Sequence, residues 1–203
     1  MADDDGAGDL VFVGLMVVGA YVFAQLWRSK QAVAGGWGFE ASPPPPQSSL
    51  DQALEILAPM QLSPAGAAYI KKQEGFRPMP YADPSGNGMD IGYGHQIKAG
   101  ENLKGPISRQ TADTIFQADV ADISQTINNN LKVAVSQGQF DALVDFGYEF
   151  GAPKLLSSTL WQRLNAGDYA GAAQQFNLWV HSGGQVSQDL VQRRAGDVQM
   201  FNS

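Results

Sequence analysis

Apolar positions fall into three regimes along the chain. From Leu10 to Ala24, fifteen apolar or small residues run without interruption, and Gln25, Leu26 and Trp27 follow. At about 1.5 Å per residue, segment 10–27 spans roughly 27 Å, close to a hydrocarbon core of about 30 Å, and predicts one N-terminal transmembrane helix. Asp9 precedes it, Arg28 and Lys30 follow it, and Tyr21 and Trp27 lie where interfacial aromatics anchor a span. Two other readings stay open. A cleaved signal peptide would use Ala32-Val33-Ala34 as its cleavage site, but its leading region should be positive, and Asp3, Asp4 and Asp5 make this one negative. A buried core helix would need a domain around it, and a linker follows instead.

That linker is the second regime. Residues 28–48 are rich in Gly, Pro, Ala and Ser, with Gly35-Gly36 and four consecutive prolines, Pro43 to Pro46. A proline run is extended and stiff and joins neither helix nor sheet, so the segment predicts a tether. Recognition by an aromatic-lined groove is the other use of such a run.

The third regime, 49–203, has the punctuation of a folded domain. Ser49 with Gln52 forms a capping-box pattern ahead of Leu50, Leu54 and Leu57, and Pro59 stops that short helix. Ser63-Pro64 opens another helix, which Gly75 ends, so Glu74 sits at a helix exit. Between Phe76 and His95 the density of Pro and Gly predicts brief strands and tight turns. Phe116, Val120, Ile123, Ile127 and Leu131 then mark one face of a long helix, and Phe140, Leu143, Val144, Gly147 and Phe150 mark another. Further helices are expected from Thr159, Asp168 and Ser187. The order, helix then small sheet then many helices, is α+β. Residues 1–9 remain as an acidic tail.

Charge changes the picture mainly by exclusion. The net charge is −7, and residues 1–64 hold −5 of it, which leaves a nearly neutral body without the clustered basic surface of a nucleic-acid site. There is no cysteine, so there is neither a disulfide framework nor a thiolate metal site. No other metal-ligand cluster or phosphate-cradling loop is visible, and no cofactor is implied.

Three acids close to the sheet carry the candidate chemistry: Glu74, Asp83 and Asp90. Glycosidic cleavage needs a proton donor for the leaving oxygen and a second carboxylate across the sugar. A helix end facing a small sheet supplies such a cleft. A Glu74 walled off by Phe76 or Tyr93 would hold its proton towards neutrality, because desolvation penalises the anion.

The run Glu74-Gly75-Phe76-Arg77, then Tyr81 and Asp83, closing on Ile91-Gly92-Tyr93-Gly94-His95, resembles the active-site signature of the bacteriophage lysozymes and endolysins, glycoside hydrolase family 24. Gln139 to Val144, Leu164 to Tyr169, Trp179, Gly183-Gly184 and Arg193-Arg194 extend the resemblance over residues 63–203. It implies a two-lobed phage lysozyme fold, a small β-sheet lobe with a larger helical lobe, and hydrolysis of the N-acetylmuramic acid to N-acetylglucosamine β-1,4 bond of bacterial peptidoglycan. Glu74 would be the general acid, with Asp83 positioning water or stabilising the oxocarbenium-like transition state. Tyr81 and Tyr93 are expected to contact substrate. His95 is expected to be a structural partner of a nearby acid, and Arg193 or Arg194 either reaches Glu74 or braces the fold. His181 is expected at the surface, and Trp161 and Trp179 in the core.

One position departs from the pattern: Asp90 stands where the family usually has a threonine that helps hold the attacking water. An aspartate there accepts the water's proton, attacks the sugar, or adds a negative charge that raises the pKa of Glu74. Inverting and retaining chemistry both stay open. So do a lytic transglycosylase and a non-catalytic, glycan-binding virion membrane component. Peptidoglycan, the membrane through residues 10–27 and other virion proteins are the expected partners. The location follows as a virion particle or the host inner membrane, with the enzyme domain meeting periplasmic peptidoglycan. Arg28 and Lys30 would by the positive-inside rule hold the domain on the opposite, cytoplasmic side.

Overall fold

The computed structural model describes residues 58–83, 86 and 88–203. The acidic tail 1–9, the span 10–27, the linker 28–48 and the short helix expected from Ser49 lie outside them. Among the described residues no helix is long and apolar enough to cross a membrane.

In chain order the elements are α1 (Pro64–Glu74), β1 (Arg77–Ala82), β2 (Met89–Gly92), β3 (His95–Gln96), α2 (Arg109–Asn130), α3 (Gln137–Phe150), α4 (Ala152–Ser157), α5 (Thr159–Asn165), α6 (Tyr169–Phe176), β4 (His181–Ser182), β5 (Gln185–Val186) and α7 (Gln188–Phe201). The α+β expectation holds, and the expected helices begin where foreseen, with Ser63, Asp168 and Ser187 as N-caps and Thr159 as the first residue after the N-cap Ser158. Two elements are additional: α4, and the β4–β5 hairpin, whose Gly183-Gly184 turn has φ of +58° and +79°. Two successive positive φ values are the geometry of a type I′ turn, which glycine adopts without strain.

Helix α3 is the hub. Its N-cap Ser136 and its third residue Gln139 satisfy each other's backbone N–H groups, and every residue from Phe140 to Gly147 is buried. A helix buried all round needs neighbours on every side, and α1, α2, α4 and α7 supply them. The face predicted for α2 is the one it uses: Phe116, Val120 and Ile127 are buried, with Ile123 and Leu131 partly covered. Strands β1, β2 and β3 form one antiparallel sheet in that order, and β2 and β3 lie against α2. The β1–β2 register slips between Arg77 and Tyr81, where Pro78 and Pro80 have no N–H to give the ladder.

The chain comes into this body through polar clamps. Met60 exchanges two backbone hydrogen bonds with the side-chain amide of Asn128 on α2, at 3.0 and 2.9 Å. Ser63 then binds Asp141 of α3 through both its N–H and its hydroxyl while capping α1. Helix α1 is thereby fixed at the end opposite to Glu74.

Candidate active site

Glu74 is the last residue of α1, and the Gly75 N–H returns to the Lys71 carbonyl to close the helix. A carboxylate there meets the negative end of the helix dipole, which favours its protonated form. Only 20% of the side chain is exposed. Burial pushes its pKa above the ordinary glutamate value, the Arg193 guanidinium opposes this, and the carboxylates of Glu149 and Asp145 add to it. These acids of α3, rather than Asp90, are the negative neighbours that act on Glu74 most strongly. Gly94, with φ of +85°, brings the turn after β2 close to the carboxylate, since a Cβ there would stand 3.2 Å from Glu74 Oε2. Gly94→Ala is accordingly expected to lower stability by about 1–2 kcal/mol, from left-handed backbone strain alone. A thermal midpoint equal to wild type would show that the turn relaxes freely.

Behind Glu74 lies a layer of buried charge. Arg193 Nη1 donates to Glu74 Oε1 at 2.7 Å and also to Glu149 Oε2, while Nε and Nη2 both bind Asp145. Arg194 Nη2 reaches Asp145 Oδ2 at 2.9 Å, and its Nε pairs with Asp197 at 2.7 Å. Burial, reinforced by Asp145 and resisted by Arg194, drives Asp197 well above the ordinary aspartate range. The two arginines thus divide the expected roles: Arg193 touches Glu74, whereas Arg194 makes no contact with it and braces Asp145.

On the sheet side, Tyr81 of β1 stands directly across from Asp90 of β2, so their side chains project from the same face. Asp83 lies two residues beyond Tyr81 and opens the hairpin loop, its N–H bonded to the Gly88 carbonyl. Burial first, and then the charge of Asp83, raise Asp90, with His95 opposing. Tyr81 is raised by burial and by Asp90, Glu74 and Asp83, against Arg77. The Arg77 guanidinium stacks 4.3 Å over its ring. Tyr81 is thus the side chain on which the charges of Glu74, Asp83 and Asp90 all act.

Tyr93 differs from its expected place at the substrate. Its ring is buried between Phe76 and Phe116, and its carbonyl accepts from the Tyr148 hydroxyl at 2.7 Å. A ring enclosed in this way packs the floor of the site and presents no face to a sugar. His95 bridges Asp119 of α2, at 2.8 Å, and Glu101, at 3.0 Å. Burial alone would lower its pKa, but the hydrogen bonds and charges of those two acids bring it above the usual histidine value. Trp161 is buried, Trp179 packs on Phe146 and Phe150, and His181 is exposed.

Asp145, Glu149 and Asp197 escape the reading from sequence. The available signal was Asp145 itself, an acid in the middle of an apolar helix, where a charge persists only with a partner.

The family model for phage lysozyme matches residues 71–197. An endolysin of Bacillus phage PZA is 41% identical over 145 residues, which is 71% of this chain and 56% of that relative. The chain thus spans about half the length of that endolysin. Among solved structures, the muramidase domain of SpmX from Asticaccaulis excentricus superposes with a TM-score of 0.64 at 33% identity, covering 70% of this chain and 98% of that one. An endolysin from Escherichia coli O157:H7 phage FAHEc1 gives 0.64 at 32% identity, covering 71% and 94%. A matching family model over most of the chain, with the helix–sheet–helix order around Glu74, shows that this protein belongs to the phage lysozyme family.

Proposed function

We propose that the chain is a phage peptidoglycan hydrolase of the muramidase type, cleaving the β-1,4 bond from N-acetylmuramic acid to N-acetylglucosamine. The observation that carries this is a Glu74 held above its ordinary pKa by burial at the end of α1, with Tyr81 of the sheet under the charges of Asp90, Glu74 and Asp83 together. Names of relatives support the same chemistry: two are endolysins and one is a muramidase domain.

In this reading Glu74 gives its proton to the leaving glycosidic oxygen and Arg193 fixes the carboxyl's orientation. Asp83 faces the positive charge that develops on the sugar ring and holds the water that completes hydrolysis. Asp90, its pKa raised by burial and by the Asp83 charge, stands beside that water where other family members use threonine. Tyr81 lines the same face. Residues 10–27 anchor the chain in a membrane, 28–48 form the tether, and 49–203 form the enzyme domain, which works on periplasmic peptidoglycan.

Full-length protein in a non-ionic detergent, incubated with purified peptidoglycan, is expected to release fragments with reducing ends. Anhydro-muramyl ends in the mass spectrum would instead mark a lytic transglycosylase, and glycan binding without cleavage would mark a binding protein. Asp83→Asn is expected to reduce turnover by about 10²-fold or more with KM little changed, because the lost charge acts mainly on the transition state. An equal loss in KM with kcat preserved would reassign Asp83 to substrate binding.

A further inference from the structure

The donors of Arg193 are unevenly distributed. Nε and Nη2 are committed to Asp145, a carboxylate with no exposed surface on α3. Nη1 has two hydrogens and two acceptors, Glu74 Oε1 and Glu149 Oε2. The acceptors come from two helix ends, the last residue of α1 and the penultimate residue of α3. They retain 20% and 27% exposure, so bulk water only partly screens one from the other.

We infer that Glu149 is a positioning residue for Glu74: by occupying half of the shared Arg193 nitrogen, it stops the guanidinium from fully neutralising Glu74 and so keeps the acid protonated for catalysis. This rests on the reading of Glu74 as the proton donor. A guanidinium facing a single carboxylate lowers that group's pKa by about 1–3 units. Such a pairing would ionise Glu74 at neutral pH and leave no proton for the leaving oxygen. A second carboxylate on the same nitrogen removes part of that pull and adds a like charge. Glu74 is indeed raised despite its ion pair, and Glu149 is the foremost like charge acting on it.

Other groups do not replace this role. Asp145 binds the far edge of the guanidinium, and Arg194 and Asp197 lie behind it. Tyr148 of α3 and Tyr81 of β1, with Asp83 and Asp90 beyond it, face Glu74 electrostatically. None of them shares Nη1. On α1 itself, Lys71 pairs with Asp113.

The test follows the Glu74 carboxyl carbon by NMR through a pH titration of the full-length chain in detergent micelles, with Glu74→Gln identifying the resonance. In Glu149→Gln the Glu74 midpoint is expected to fall by about one pH unit, and the alkaline limb of kcat/KM on peptidoglycan by the same amount, a roughly tenfold loss above the limb. Glu149→Asp, which keeps the charge, is expected to restore most of the shift, and Glu149→Ala to reproduce it. A Glu74 midpoint unchanged in both Glu149→Gln and Glu149→Ala would overturn the inference, even if their thermal stability changed. A midpoint that moves in a protein that never cleaves glycan would uphold the coupling and refute the functional reading instead.

Discussion

Replacing Glu74 with glutamine is expected to lower the release of reducing ends from peptidoglycan by about 10²–10⁴-fold, the usual contribution of a positioned general acid. The amide keeps the shape of the side chain and still accepts from Arg193 Nη1, so the fold persists. What it lacks is a proton that can leave. The same variant changes how stability depends on pH. Folded Glu74 has a pKa raised above the ordinary glutamate value. Between that value and the raised one, the folded state holds a proton that the unfolded chain has released, so stability falls as pH rises through the window. Glutamine does not titrate, and its melting temperature is expected to decline less across that interval. Clearing of peptidoglycan at the wild-type rate would dismiss Glu74 as the acid, and parallel melting curves would dismiss its raised pKa.

Asp145→Ala is expected to be the most destabilising single substitution behind the site, at about 3–5 kcal/mol. Asp145 is fully buried and accepts from Arg193 Nε and Nη2 and from Arg194 Nη2. Its removal strands two guanidinium groups that the fold has already taken out of water. Arg193 also loses the anchor that aims Nη1 at Glu74, so activity should fall below detection before unfolding is complete. Urea titration of the variant beside wild type checks this. A loss under about 1 kcal/mol would mean that water or Asp197 takes over both arginines.

The α+β order, and most helix starts, were legible because each was written locally. Ser63, Asp168 and Ser187 cap the helices expected from them. Short polar elements left no such trace. The β4–β5 ladder consists of His181, Ser182, Gln185 and Val186, all exposed, so no alternation announces it and only Gly183-Gly184 hints at a turn. Helix α4 follows Gly151 and contains Pro153, which in sequence reads as loop. At the candidate site, Glu74 and Asp83 were singled out through a local run of residues. Glu149 and Asp145 act through a residue more than forty positions away, and their meaning depends on α3 and α7 lying side by side. Tyr93 was misplaced for a related reason: a tyrosine among glycines suits a cleft or a floor equally well, and only the packing of Phe76 and Phe116 on its ring decides.

The clamps at Met60 and Ser63 also make a mechanical statement. A pull applied to the chain at Ala58 meets first the paired hydrogen bonds between Met60 and Asn128, and then the hold of Asp141 on Ser63. Load is diverted into α2 and α3 before it reaches the axis of α1. Glu74, eleven residues further along and moored to α7, sits beyond both strain reliefs, so tension on the leading segment would leave the Glu74–Arg193 pair undisturbed until those bonds shear.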